Sequence, residues 1–156
     1  MRCAFTGHRP QRLPWGSAEE DPRCLALKYM IEKTVHEAAA LGCSEFVCGM
    51  ALGCDFWFAE AVLKKGYPLI AMLPCPNQSV YWSKPQQERY QELLSQCSEV
   101  YVLEDSYSDG CMLRRNRTMI DRANVLITVY DGGSGGTASA VQYALSKGKR
   151  ILPIWR

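Results

Sequence analysis

No apolar run in the sequence approaches the ~20 residues that a membrane-spanning helix needs. The stretch from Met1 to His8 leaves no room for a signal peptide's apolar region. These absences predict a cytoplasmic protein with no membrane partner. Neither sign of charge dominates: 18 basic against 16 acidic side chains give +2, too little for a chain that coats nucleic acid. Histidine is scarce, with only His8 and the remote His36, and no C-x-x-C occurs, so no metal site is expected. Eight cysteines would suit a disulfide framework, but such frameworks belong to small secreted domains and no export signal is present. The cysteines therefore read as small apolar fillers in a reducing compartment, with Cys75, between two prolines, the candidate for an exposed thiol.

What is present is ordinary globular material: 156 residues, 47% hydrophobic and 22% charged, enough for one domain spanning 1–156 with a core of its own. Short aliphatic runs at 2–6, 45–48, 68–73, 100–103, 125–130 and 150–154 read as strands, mostly without alternation, as strands covered on both faces do. Between them lie segments of helical period. In the first, Leu27, Ile31, Val35 and Ala38 recur at threes and fours. A second runs from a candidate N-cap at Asp55 to Gly66, and others cover 84–96, 112–122 and 136–147. The fourth would turn Leu113, Met119, Ile120 and Ala123 inward. This alternation predicts an α/β protein: a three-layer, Rossmann-like, open and mostly parallel sheet with helices on both faces.

Loop chemistry is lopsided. Helix-to-strand connections are short, as at 41–44, 65–67 and 147–149. Strand-to-helix connections are long and rich in glycine and charge, and in a parallel sheet they all emerge at the carboxyl ends of the strands, where ligands bind.

Gly132-Gly133-Ser134-Gly135-Gly136-Thr137 follows a buried strand and opens a helix. Glycines let backbone N–H groups approach an anion, and the helix start adds donors and a favourable dipole, so this segment is the phosphate-binding candidate. It is no P-loop, because Gly136 stands where the lysine would be, and it lies too late in the chain for a dinucleotide fingerprint. A second glycine loop, Gly49-x-x-x-Gly53-x-Asp55, offers Asp55 either to ribose hydroxyls or as a plain helix cap. Gly7, His8 and Arg9 end the first strand and could contact phosphate, with His8 alternatively an acid or base. Arg115 is the arginine expected on a phosphate, whereas Arg114 and Arg117 are expected to pair with Asp121. Tyr81, Trp82 and Trp15 either stack on a base or pack their loops.

Together, Thr-Gly-His-Arg-Pro at 6–10, Gly-Met-Ala-Leu-Gly-Cys-Asp at 49–55, Arg-Asn-Arg-x-Met-Ile-Asp at 115–121 and Val-Tyr-Asp-Gly-Gly-Ser-Gly-Gly-Thr at 129–137 resemble the YpsA-like family of the SLOG superfamily. The resemblance covers essentially the whole chain. It implies a bacterial, cytosolic, Rossmann-like protein that binds nucleotides or nucleotide-derived ligands at the glycine-rich edge, and it implies homodimerisation. Relatives in that superfamily include LOG-type phosphoribohydrolases and the DNA-processing protein DprA. Arg115 stands four residues before Met119, as an arginine does in LOG-type enzymes. Their two glutamates after Gly-Thr are replaced here by Ala138, Ser139 and Ala140. A phosphate cradle without that carboxylate pair favours a nucleotide-binding protein, a sensor of an NAD-derived or ADP-ribose-like ligand, needing no further cofactor. The alternatives are a phosphoribohydrolase-like N-glycosidase and a DprA-like binder of single-stranded DNA, the latter disfavoured by the near-neutral charge.

Overall fold

A computed structural model describes residues 1–155; the last residue of the expected domain, Arg156, lies outside the described residues. Six strands alternate with five α-helices: β1 (Arg2–Gly7), α1 (Pro22–Ala40), β2 (Glu45–Cys48), α2 (Cys54–Lys64), β3 (Leu69–Leu73), α3 (Lys84–Ser95), β4 (Glu99–Val102), α4 (Cys111–Asp121), β5 (Val125–Val129), α5 (Gly136–Ser146) and β6 (Arg150–Trp155). The strands form one sheet in the order β4-β3-β2-β1-β5-β6. Every pairing is parallel, so the expected α/β sheet is present and is wholly rather than mostly parallel.

The order explains the layers. From β1 the chain steps outward through β2 and β3 to β4, then returns across the sheet to β5 on the other side of β1. Right-handed crossovers put connections running in opposite directions on opposite faces. Accordingly Phe5, Phe46, Cys48, Leu69 and Ile127 pack with Leu27, Ile31, Phe58 and Tyr90 of α1, α2 and α3. The alternate strand residues Ala4, Val47, Ile70 and Leu126 pack with Met119 and Ile120 of α4 and with Ala140 and Ala144 of α5. Small residues on α5 let that helix lie close to the sheet. The strand order reverses between β1 and β5, and it is there that the carboxyl ends open a crevice.

Helix starts fall into two kinds. Asp21 caps α1 through the Arg23 N–H at 2.8 Å, and Ser83 caps α3 in a capping box with Gln86. By contrast α2, α4 and α5 begin at Gly53, Gly110 and Gly135, with no side-chain cap. Asp55 is therefore not the cap expected of it. It lies inside α2, which starts one residue earlier.

Two further expectations are corrected. All four residues of β4 are exposed, because β4 is the sheet's edge and not a strand covered on both faces. Cys75 is buried, not exposed; all eight cysteines are free thiols, and Cys97 alone is half-buried. No helix among the described residues is long and apolar enough to cross a membrane.

Candidate functional site

A cavity of about 340 Å³ occupies the crevice between the ends of β1 and β5. One wall comes from the segment after β1 and includes Gly7, His8, Arg9 and Arg12. Ser134, Gly135, Gly136 and Thr137 form the opposite wall, and Asp55, Arg115 and Asn116 the floor. Residues from four separate segments thus meet at one edge of the sheet.

The loop after β5 owes its shape to side chains as well as glycines. The Asp131 carboxylate accepts the Gly133 N–H at 2.8 Å, an Asx-type turn that starts the loop. Asp131 in turn donates its own N–H to His8 Nε2 at 3.1 Å. Gly132 and Gly135 have φ values of 90° and 129°, which side chains with a Cβ rarely adopt. The amides of Gly136, Thr137 and Ala138 begin α5 without a side-chain acceptor and stand at the positive end of its dipole. Anchoring to Gly133 and His8 holds the Asp131 carboxyl below the ordinary carboxylate range, the Gly133 hydrogen bond contributing most.

Arg12 completes this wall. It lies in a short 3₁₀ turn, Pro10–Arg12, and reaches across the crevice until its guanidinium rests on the glycine loop. A Cβ on Gly133 would stand 2.6 Å from Arg12 Nη2, and one on Gly135 would stand 3.3 Å from Nη1. The nearest carboxylate oxygen to the guanidinium belongs to Asp131, 3.9 Å away, beyond hydrogen-bond distance. Arg9, also exposed on this rim, makes no ion pair among the described residues. Two cations with available donors therefore flank a row of free helix amides, which is how proteins hold phosphate.

The loop after β2 has a different fate. Arg115 is buried beneath it, donating to the carbonyl of Gly49 at 2.7 Å and to that of Met72 at 3.3 Å. Its Nε donates to Asn116 at 2.8 Å. A Cβ on Gly49 would collide with that guanidinium, so glycine is required there to admit the protein's own arginine. Gly53, with φ 88°, packs against Pro10 and the His8 carbonyl. Gln78 donates to the Gly49 carbonyl at 3.2 Å, and Met50 is held buried at a φ of 58°. Asp55 Oδ2 accepts the Ala51 N–H at 3.0 Å. Burial pushes the Asp55 carboxyl up, against the pull of the Arg115 charge, and burial likewise pulls the Arg115 guanidinium down.

Of the residues singled out in the sequence, Gly7, His8, Arg9, Asp55, Arg115, Ser134, Gly135, Gly136 and Thr137 line the cavity, whereas Gly49, Gly53, Gly132 and Gly133 shape the loops behind it. Arg114 and Arg117 do not pair with Asp121. Arg114 forks onto Glu104 at 2.8 and 2.9 Å, Arg117 lies over the Tyr143 ring, and Asp121 accepts the Tyr143 hydroxyl. Trp82 packs edge-on to Phe56 and Tyr90, while Tyr81 is 96% exposed away from the cavity. Sequence reasoning misses Arg12, Asn116 and Asp131; Arg12 stands two residues beyond the Thr-Gly-His-Arg-Pro motif, which is the available signal.

With this geometry in view, the chain can be set beside known proteins. The model of the YspA SLOG family matches residues 3–151, and the chain belongs to that family. The SPbeta prophage-derived protein YoqJ of Bacillus subtilis is 31% identical over 117 residues, covering 64% of this chain and 68% of its own. Among solved structures, the DNA processing protein A of Helicobacter pylori, described for its single-stranded DNA binding mode, superposes with a TM-score of 0.68 at 25% identity over 98% of this chain. The match spans 64% of that protein. The molybdenum cofactor binding protein of Rippkaea orientalis superposes with a TM-score of 0.61 at 18% identity, over 97% of this chain and 74% of its own, a likeness of fold.

Proposed function

We propose that this SLOG-family protein binds a small phosphorylated ligand of the nucleotide class, with the phosphate on the amides that open α5. The observation that carries this reading is the pairing of those uncapped amides with Arg12, whose guanidinium lies directly over the glycine loop. An NAD-derived or ADP-ribose-like molecule fits the family resemblance and the mixed character of the cavity, which has cations at one wall and the Asp55 carboxyl on its floor. Ala138, Ser139 and Ala140 supply no acid or base after Thr137, so we assign a sensing or carrying role in preference to hydrolysis.

The test is a thermal-shift and calorimetry panel of AMP, ADP, ADP-ribose and NAD on the purified protein. A ligand at 100 times its dissociation constant stabilises its target by about 2.7 kcal/mol, several degrees for a chain of this size. Gly135→Val introduces a β-branched residue at a φ of 129° under Arg12, and it abolishes the shift while circular dichroism stays native. An unchanged affinity in that variant contradicts the assignment. A second reading, single-stranded DNA, is supported by the likeness to the Helicobacter protein and by Arg9 and Arg12 standing exposed on the rim. Its signature is retention of an oligonucleotide that weakens steeply with salt, as counterion release demands.

A further inference from the structure

Resting on the phosphate site proposed above, we infer that the cavity reads the sugar–phosphate part of its ligand and not the base, so that a pentose 5-phosphate is a sufficient ligand. Beside the cations Arg9 and Arg12 and the polar side chains of Gln11, Ser134 and Thr137, three more on the cavity wall, Asp55, Asn116 and Thr6, keep hydrogen-bonding capacity that the described residues do not use. Asp55 accepts the Ala51 N–H through Oδ2, and its Oδ1 has no partner among the described residues. Asn116 accepts from Arg115 through Oδ1, which leaves the amide nitrogen as a donor. The Thr6 hydroxyl makes no hydrogen bond among the described residues. None of these three atoms is sealed in the interior, and all three residues line the cavity, so the capacity opens onto it.

The chemistry of the set selects the ligand. A carboxylate oxygen accepts only, an amide nitrogen donates only, and a hydroxyl does both. The dianion of a phosphate monoester has no proton to donate to Asp55, and any phosphate is repelled by its charge. Sugar hydroxyls each donate and accept, so they satisfy all three groups at once. An Asp55 carboxylate engaged in this way makes the stronger, charge-assisted kind of bond.

Of the residues that line the cavity, Phe5 alone carries a phenyl ring and none carries a phenol or an indole. Phe5, on the cavity wall, is fully buried and stacks on Phe58 at a centroid distance of 4.5 Å. Trp82 is turned into Phe56 and Tyr90. A cavity of about 340 Å³ is near the lower end of the range of roughly 300–1,000 Å³ for ligand sites and has room for a phosphate and a pentose.

The test compares three probes on the full chain by calorimetry: inorganic phosphate, ribose 5-phosphate and AMP. Ribose 5-phosphate is expected to bind at least tenfold tighter than phosphate, with AMP within threefold of ribose 5-phosphate. The inference is overturned if AMP exceeds ribose 5-phosphate by more than threefold, or if ribose 5-phosphate gains less than tenfold over phosphate. Binding of AMP without ribose 5-phosphate sinks this inference alone, whereas failure of all three probes also removes the phosphate site on which it rests. Thr6→Val keeps the shape and strand preference of the residue while deleting the hydroxyl. It should weaken ribose 5-phosphate at least threefold and leave phosphate unchanged, and equal affinity for ribose 5-phosphate in the variant would count against the assignment. The wild-type probe series stands whether or not a variant folds.

Discussion

The loop after β2 and the loop after β5 are made of the same parts: a strand end, two or more glycines, and a helix that starts without a side-chain cap. The protein fills the first with its own groups. Arg115, Gln78 and Asp55 take up its carbonyls and amides, and Met50 and Ala51 are buried within it. The second stays open. Ser134, Gly135 and Gly136 face solvent, and the Arg12 guanidinium rests against Gly133 and Gly135. Glycine therefore serves two ends in one sheet edge. Beneath the β2 loop it admits an internal arginine, and in the β5 loop it leaves the backbone open to solvent beside Arg12.

The largest expected effect comes from breaking the filled loop. Gly49→Ala pushes a methyl group into the Arg115 guanidinium, and displacing a buried, hydrogen-bonded charge costs about 3–5 kcal/mol. Urea denaturation should register that loss, with a fall in Tm on the order of 10 °C. On the open side, Arg12→Ala should weaken the phosphorylated ligand about tenfold, or about 1.4 kcal/mol, because a charge-assisted bond is lost. Its stability should stay within ~0.5 kcal/mol of wild type, since the side chain is exposed and makes no close ion pair.

A smaller effect concerns the segment that carries Arg12. Glu19, further along it, bonds Arg89 at 2.7 and 3.0 Å and Lys28 at 2.7 Å. Burial raises its pKa, but these cations outweigh burial and hold the carboxyl down to about 2. Its unfolded value is about 4.3, so the folded value is the lower one. The contribution to stability is then complete above about pH 4.3 and is lost as the pH falls toward 2. Partial exposure screens the pair, which leaves about 1 kcal/mol to be seen, and Glu19→Gln should flatten the pH dependence of stability in that window. The smallest effect is Gly136→Ala. Nothing lies within 4 Å of the added Cβ, so stability should change by less than ~0.5 kcal/mol, and a loss equal to that of Gly49→Ala would erase the contrast between the loops.

Much of this was legible in the sequence, and what was missed has a physical reason. Period and loop asymmetry locate six strands, five helices and the sheet edge at which the cavity opens, because those signals are local. The exposure of β4 was not local: Val100, Tyr101 and Val102 look like a buried strand, and only the sheet order makes them an edge. Arg115, expected on a phosphate, lines the cavity, but its partners Gly49 and Met72 lie 66 and 43 residues away and are backbone carbonyls, which no side-chain pattern announces. Asp55 bonds back to Ala51 from inside α2, which begins two residues earlier than an Asp55 cap would start it. Arg12 meets the glycine loop only after the chain has crossed the sheet and returned.

The central claim, that the β5 loop holds the phosphate and the β2 loop does not, is tested most directly by amide nuclear magnetic resonance during titration with AMP. The account predicts that the backbone signals of Gly135, Gly136 and Thr137 move first and furthest, while those of Gly49 and Gly53 stay in place. Movement centred on Gly49 and Gly53, with the start of α5 unchanged, would contradict it.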